Sequence, residues 1–329
     1  MKKFFTAAFL FLGILTNVSS AQEFFSQPFA HTFSIVARDA ATGEIGAAVQ
    51  SHWFSVGTIV IWGEAGVGVV ATQSFVNASF GPRGLELLKK GLSPQEAVDS
   101  LIASDEGRDF RQLAILDAKG KAAAYTGKKC IQPAGHIIGD GYSVQANLMS
   151  TDKVWPAMSK AFEDSKGEPL AERMVAALEA AQKAGGDIRG KQSAALLVFK
   201  GTSTGKPWED KLIDLRVDDS PEPIKELKRL LKVHRAYDHM NAGDLAVEKN
   251  SMDKAMSEYY AAMKMFPDNL EMKYWTAVTL ANNGQLNKAL PMFKEIFSKD
   301  KNWKDLTPRL IPNGLLTVDK AELKKILEQ

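Results

Sequence analysis

"TFSIVARD", residues 32–39, sets Phe33, Ile35 and Ala37 in alternation with Thr32, Ser34 and Val36. That is the two-residue period of a β-strand. More strand-like runs follow, separated by glycine-bearing turns: "EIGAAVQS" (44–51), "TIVIWG" (58–63) and "GVGVVATQS" (66–74). Two helices are expected next. "GPRGLELLKKG" (81–91) opens one near Pro82, and "SPQEAVDSLIAS" (93–104) starts another, with Ser93 as cap, Pro94 at the first helical position and Glu96 completing a capping box. "RQLAILDAKGKAAAYTG" (111–127) reads as a hairpin turning at Asp117–Gly120. After the segment "GHIIGDGYSVQANLMS" (135–150), helices are expected over about 152–164 and 168–184, and "SAALLVFK" (193–200) and "KLIDLRV" (211–217) close the series as strands. Strands, two helices, strands, two helices and strands again describe an α+β domain of two packed sheets with a helical layer outside each.

Beyond "DDSPEPIKEL" (218–227), where two prolines mark a linker, only helical patterns remain. Ala255, Tyr259 and Ala262 recur as Ala289, Phe293 and Ile296, a spacing of 34 residues, and Gly243 and Ala277 are again 34 apart. That spacing is the tetratricopeptide period, in which small residues let paired helices approach and large ones fill the gap to the next unit. Pro267 falls where such a repeat ends its second helix. Two units need flanking helices to cover their ends, expected near 224–235 and after Trp303. An ordinary helical bundle is the other reading.

Residues 1–21, "MKKFFTAAFLFLGILTNVSSA", carry two lysines, an apolar run from Phe4 to Leu15 and small residues at Ser19 and Ala21. This reads as an export signal cleaved after Ala21, so a periplasmic or secreted product is expected. The apolar run is too short to span a bilayer, and no other segment approaches a membrane span. The domains expected are thus 1–21 signal, 22–31 a short N-terminal segment, 32–218 the α+β domain and 219–329 the helical domain. Loss of Lys2 and Lys3 with the signal lowers the formal net charge from +2 to 0, which offers no electrostatic footprint for nucleic acid or anionic lipid. The one cysteine, Cys130, has no intrachain partner, so the fold must stand on its core.

No metal or cofactor is called for. The five histidines (His31, His52, His136, His234 and His239) lack metal-site spacing. "GEAGVGVV" (63–70) has the wrong spacing for a dinucleotide turn and continues into a strand. "KQSAALL" (191–197) lacks the flanking glycines of a nucleophile elbow. Cys130 and His136 in "CIQPAGH" offer a thiol with a nearby base, or else a small buried hydrophobe and an unrelated imidazole. Thr32 is either a β-branched residue opening a strand or, if it becomes the first residue of the chain, a nucleophile whose own α-amine serves as base.

"TFSIVARDAATGEIGAAVQS", "GVGVVATQS", "GPRGLELLKKGLSPQEA", "AYTGKKC", "AGHIIGDGYSVQAN" and "GGDIRGKQSAALLV" together resemble the domain of unknown function family numbered 1028, grouped with the N-terminal-nucleophile (Ntn) hydrolases, from Thr32 to about Val198. The resemblance implies a four-layer αββα sandwich and cleavage of amide bonds by a Thr, Ser or Cys exposed through processing. It makes Thr32 the expected nucleophile. Members without a signal tend to begin Met-Thr-Phe-Ser, whereas here His31 precedes the threonine and signal cleavage leaves "QEFFSQPFAH" (22–31) in front. Either Thr32 attacks its own preceding carbonyl, another protease trims the segment, or the site is not an Ntn site.

Around Thr32, Asn147 and backbone N–H groups are candidate oxyanion donors. Ser51, His52 and Gln73 stand at expected strand ends facing a cleft, where they would meet substrate. Asp187 and Arg189, in a glycine-flanked turn, could orient the α-amine or hold a substrate carboxylate, or form a structural ion pair. The expected activity is an exported Ntn-type amidohydrolase acting on a small-molecule or peptide amide. The helical repeats would dock a protein or cell-envelope partner. The alternative is a non-catalytic envelope binding or scaffold protein.

Overall fold

The computed structural model describes residues 29–329. The expected signal and most of the segment 22–31 lie outside the described residues. Two compact units divide at Arg229/Leu230.

Among the described residues of the first unit, eleven strands form two antiparallel sheets. One is built from β1 (Phe29–Ala30), β5 (Gly68–Phe75), β6 (Arg111–Asp117) and β7 (Ala122–Thr126) in that order, with β4 (Ile61–Glu64) also paired to β5. The other runs β11 (Lys211–Val217), β10 (Ser193–Phe199), β3 (Ile45–Ser51), β2 (Thr32–Arg38), β9 (Tyr142–Ala146), β8 (Gly135–Gly139). The alternation read in "TFSIVARD" decides which side chains each face receives. Val36 joins Ala47, Val49, Ala195 and Leu197 of its own sheet and Val69, Ala71, Ala114 and Leu116 of the other in a core between the sheets. Phe33 and Ile35, fully buried, point to the opposite face.

Helices α1 (Phe80–Lys89) and α2 (Pro94–Ala103) cover the outside of the first sheet, packing Phe80, Leu85, Val98 and Leu101 on Val70, Leu113 and Ile115. The start of α2 is fixed as its sequence requires: Ser93 accepts from the Glu96 N–H while the Glu96 carboxylate accepts from the Ser93 N–H, and Pro94 needs no partner there. Helices α3 (Val154–Asp164) and α4 (Leu170–Lys183) lie against the second sheet. Gly46 makes room for α4, since a Cβ on it would come within 2.5 Å of the Met174 methyl. Each large apolar side chain fully removed from water in these layers contributes roughly 1.5–3 kcal/mol.

The structure corrects one local expectation and adds detail to two other segments. The strand expected over "TIVIWG" begins only at Ile61, because Val56–Thr58 is a turn of 3-10 helix. There Gly57 approaches β10 so closely that a Cβ would stand 2.4 Å from that of Ala195. The first helix starts at Phe80, before Pro82. The segment 135–150 contains a hairpin, β8–β9, turning at Asp140–Gly141, with Gly141 at φ 76° as such a turn favours.

The boundary between units falls inside one helix, α5 (Pro223–Glu248). Its first turns stay with the first unit: Leu227 is fully buried and Lys228 pairs with Glu179 of α4 at 2.9 Å. In the second unit, Ala255, Tyr259 and Ala262 on α6 (Met252–Met265) are buried with Ala236 and Met240. Ala277 on α7 (Leu270–Asn282) and Ala289, Phe293 and Ile296 on α8 (Leu286–Lys299) share a second core. These seven positions of the 34-residue spacing therefore all face inward. Gly243 lies under the Tyr259 ring, where a Cβ would meet a ring carbon at 2.4 Å. Among the described residues no helix is long and apolar enough to cross a membrane.

Candidate functional site

The chain changes sheets at His31. Ala30 belongs to β1 and pairs with Ser74 of β5, while Thr32 opens β2 and pairs with Ser51 of β3 in the other sheet. Because Thr32 has the same parity as Ser34 and Val36, its side chain belongs to the inter-sheet face. It is fully buried, and its hydroxyl donates back to the Ala30 carbonyl at 2.6 Å.

Both carbonyls flanking the Thr32 nitrogen and α-carbon are held by side chains. The His31 carbonyl accepts from Ser51 Oγ at 2.6 Å and from Arg189 Nη2 at 2.8 Å. The Thr32 carbonyl accepts from the Asn147 N–H at 3.1 Å and Gln73 Nε2 at 3.2 Å, with Asn147 Nδ2 further off at 3.5 Å. Asn147 thus serves the carbonyl after Thr32, and the donors on the carbonyl before it are Ser51 and Arg189.

Arg189 is aimed by Asp187, whose side chain is fully buried. Arg189 Nε and Nη2 contact its two oxygens at 3.1 and 2.7 Å, and the Arg189 backbone N–H adds a third bond at 2.9 Å. The turn bearing them is tight because Gly186 (φ 61°) and Gly190 (φ 121°) take conformations that side chains disfavour. A planar guanidinium is suited to this double duty, since its fork can hold a carboxylate and still present a donor elsewhere. The His52 N–H reaches the same carboxylate at 3.3 Å. Asp187 therefore positions Arg189, and His52 joins through its backbone.

The His31 ring donates from Nδ1 to Asn147 Oδ1 at 2.8 Å. Burial holds its pKa below the ordinary imidazole value and outweighs the Asn147 bond; the Arg189 charge also lowers it, and Asp187 opposes. The ring is neutral at pH 7.

Behind these residues lies a buried amide network that the sequence pattern did not suggest. Gln112 Oε1 accepts from Gln73 Nε2 at 2.7 Å and from Asn147 Nδ2 at 2.9 Å. Ser34 links Gln73 and Gln145 at 2.5 and 2.6 Å. Gln112 Nε2 continues to Thr126, which meets His136 Nδ1 at 2.8 Å. A signal was present: Gln112 occupies the same parity as Ala114 and Leu116 on the otherwise apolar inter-sheet face of β6, and a polar residue on a core face needs partners. Cys130 takes a different partner from His136. Its thiol, pushed up chiefly by burial, donates to the Arg111 carbonyl at 3.3 Å. Among the described residues no group of three or more His, Cys, Asp or Glu is placed to hold a metal.

Of the seven residues singled out from sequence, Thr32, Ser51, Gln73, Asn147, Asp187 and Arg189 meet around the two peptide units flanking Thr32, with His52 at their edge. What they can do chemically is stabilise negative charge on the His31 carbonyl oxygen.

A family of unknown function, DUF1028, matches residues 32–227. A crystal structure of a Silicibacter pomeroyi protein assigned to that family is 33% identical, with a TM-score of 0.56 over 62% of this chain and 88% of that one. The ancestral beta-subunit Anbu of Yersinia bercovieri gives 13% identity and a TM-score of 0.31 over 60% of this chain and 92% of that one, a likeness too slight to inform the function of this chain. No curated protein matches the chain. With the match beginning at Thr32 itself and running through both sheets, the chain belongs to the family of unknown function DUF1028.

Proposed function

We propose that this protein is an Ntn-type amidohydrolase whose nucleophile, Thr32, is freed by cleavage of the His31–Thr32 bond. The observation that carries the reading is the pair of donors on the His31 carbonyl, Ser51 Oγ and Arg189 Nη2. His31 lies between β1 and β2 and belongs to neither strand, and its carbonyl is held by side chains. Two side-chain donors, one of them charged, match what a tetrahedral intermediate at that carbon needs.

In the first event Thr32 Oγ adds to the His31 carbonyl carbon, the C–N bond breaks, and the hydroxyl proton ends on the departing Thr32 nitrogen. Water then hydrolyses the ester, leaving a carboxylate on His31 and a free amine on Thr32. That amine, with an ordinary pKa of about 7.7–8.0, takes the hydroxyl proton in later turnovers. The packing of helix pairs outside two sheets is consistent with the αββα sandwich of Ntn hydrolases, and the family match begins at the proposed nucleophile. The inward-facing 34-residue spacing supports tetratricopeptide-like repeats over the C-terminal helices, which would dock a protein or cell-envelope partner of an exported enzyme.

Intact mass and N-terminal sequencing of the protein recovered from its native host test the proposal. A chain beginning at Thr32, and an uncleaved Thr32→Ala variant, are expected. A stable chain that keeps His31 joined to Thr32 and remains fully functional would overturn it in favour of a non-catalytic envelope-binding protein.

A further inference from the structure

Resting on that reading, the strand in front of Thr32 identifies the substrate class. Phe29 and Ala30 pair antiparallel with Phe75 and Ser74 of β5. The same edge of β5 carries β4 only along Gly68–Ala71, and β6 occupies the other edge. The two residues before His31 thus complete a sheet edge that nothing else among the described residues fills.

The side chains of Ala30 and His31 are constrained as well. Ala30 is fully buried in the inter-sheet core. The His31 ring is 3% exposed, with Phe75 edge-on at 5.8 Å and Asn147 Oδ1 at 2.8 Å from its Nδ1. Together these form a slot for a small side chain followed by a pocket with an aromatic wall and an amide acceptor.

We propose that the acyl half of the substrate is an extended peptide added as a strand to the Ser74–Phe75 edge of β5. A small residue would take the place of Ala30, a flat ring with an N–H donor the place of His31, and the scissile carbonyl would lie under Ser51 and Arg189. The physical reason is chemical identity: the ester formed when Thr32 attacks the His31 carbonyl is the same bond, at the same atom, as the ester formed with substrate. Whatever acyl group replaces the leader must occupy the leader's place. Strand addition supplies main-chain affinity, and the two side-chain sites supply selectivity. In turnover, Thr32 Oγ adds to the peptide carbonyl, the C–N bond breaks, and the hydroxyl proton passes through the Thr32 amine to the leaving amine. Water then cleaves the ester to a peptide carboxylate and restores the hydroxyl.

The test uses the protein after its own processing, with a Thr32 start verified by mass and the leader removed by gel filtration. Four probes are compared: acetyl-Pro-Phe-Ala-His 4-nitroanilide, the same peptide with N-methyl-Ala, the same with Leu in place of Ala, and acetyl-His 4-nitroanilide. The parent peptide is expected to exceed acetyl-His by about 100-fold in kcat/KM and each altered peptide by about 10-fold. Binding of the free leader peptide Ser-Gln-Pro-Phe-Ala-His is measured alongside by calorimetry, and its N-methyl-Ala form should bind about 10-fold more weakly. Equal turnover of all four anilides within twofold, or no turnover together with no binding of the leader peptide, overturns the inference. Failure to find any Thr32 start instead overturns the underlying hydrolase reading.

Discussion

Replacing Ser51 with alanine should slow cleavage of the His31–Thr32 bond about 100-fold while leaving the fold nearly as stable. Ser51 Oγ is one of two donors on the His31 carbonyl, and removing one donor from such a site costs about 2.7 kcal/mol or more in the transition state. With Arg189 still 2.8 Å from the same oxygen, the lower end of that range applies. In the folded ground state the change removes one buried hydrogen bond of 2.6 Å and leaves no orphan, because Arg189 still satisfies the carbonyl. The stability loss should be about 1 kcal/mol, or roughly 2–4 °C for a unit of this size. Arg189→Ala would confound the two effects, since it strands the fully buried Asp187 carboxylate, at a cost of about 3–5 kcal/mol. The assay is a time course of intact mass after expression of the full chain, paired with a thermal melt. Cleavage of Ser51→Ala within threefold of wild type, with a normal melt, refutes the assigned role.

Gln112→Leu should destabilise the first unit by about 3 kcal/mol, read as a lower denaturant midpoint, because it strips an acceptor from Gln73 and Asn147 and a donor from Thr126 and the Ala146 carbonyl. Gly243→Ala should cost the helical unit about 2 kcal/mol, since its Cβ would stand 2.4 Å from the Tyr259 ring; an unchanged melt of that unit contradicts the close approach. Stability should fall as pH drops. Burial holds both His31 and His136 below the ordinary imidazole value, so below about pH 6.5 the unfolded chain binds more protons than the folded one. The stabilisation is therefore complete above about pH 6.5 and is lost as pH falls toward the folded-state values. Denaturant midpoints across about pH 5–7.5 check this, and the slope should shrink once cleavage removes His31.

What the sequence determined by itself is local. The period of "TFSIVARD" specifies a strand and the face of each of its residues, because strand geometry needs no distant partner to set its parity. Ser93, Pro94 and Glu96 specify a helix start, because the cap bonds span only three residues. The 34-residue spacing specifies which helical positions turn inward. Where the pattern misled, a long-range contact had overruled propensity. "TIVIWG" is β-branched, yet Gly57 against Ala195 bends its beginning into a 3-10 turn.

The site was legible as residue types and illegible as an arrangement. Asn147 reaches His31 across 116 residues of sequence, and Arg189 reaches it across 158. No spacing rule encodes such contacts; they arise when two sheets close on each other and their inward polar residues must find partners or bear the cost of desolvation. The sequence named Thr32 as the residue to watch. Only the tertiary structure decided that the carbonyl before it is the one held by Ser51 and Arg189, and that the strand before it borrows an edge a peptide could take.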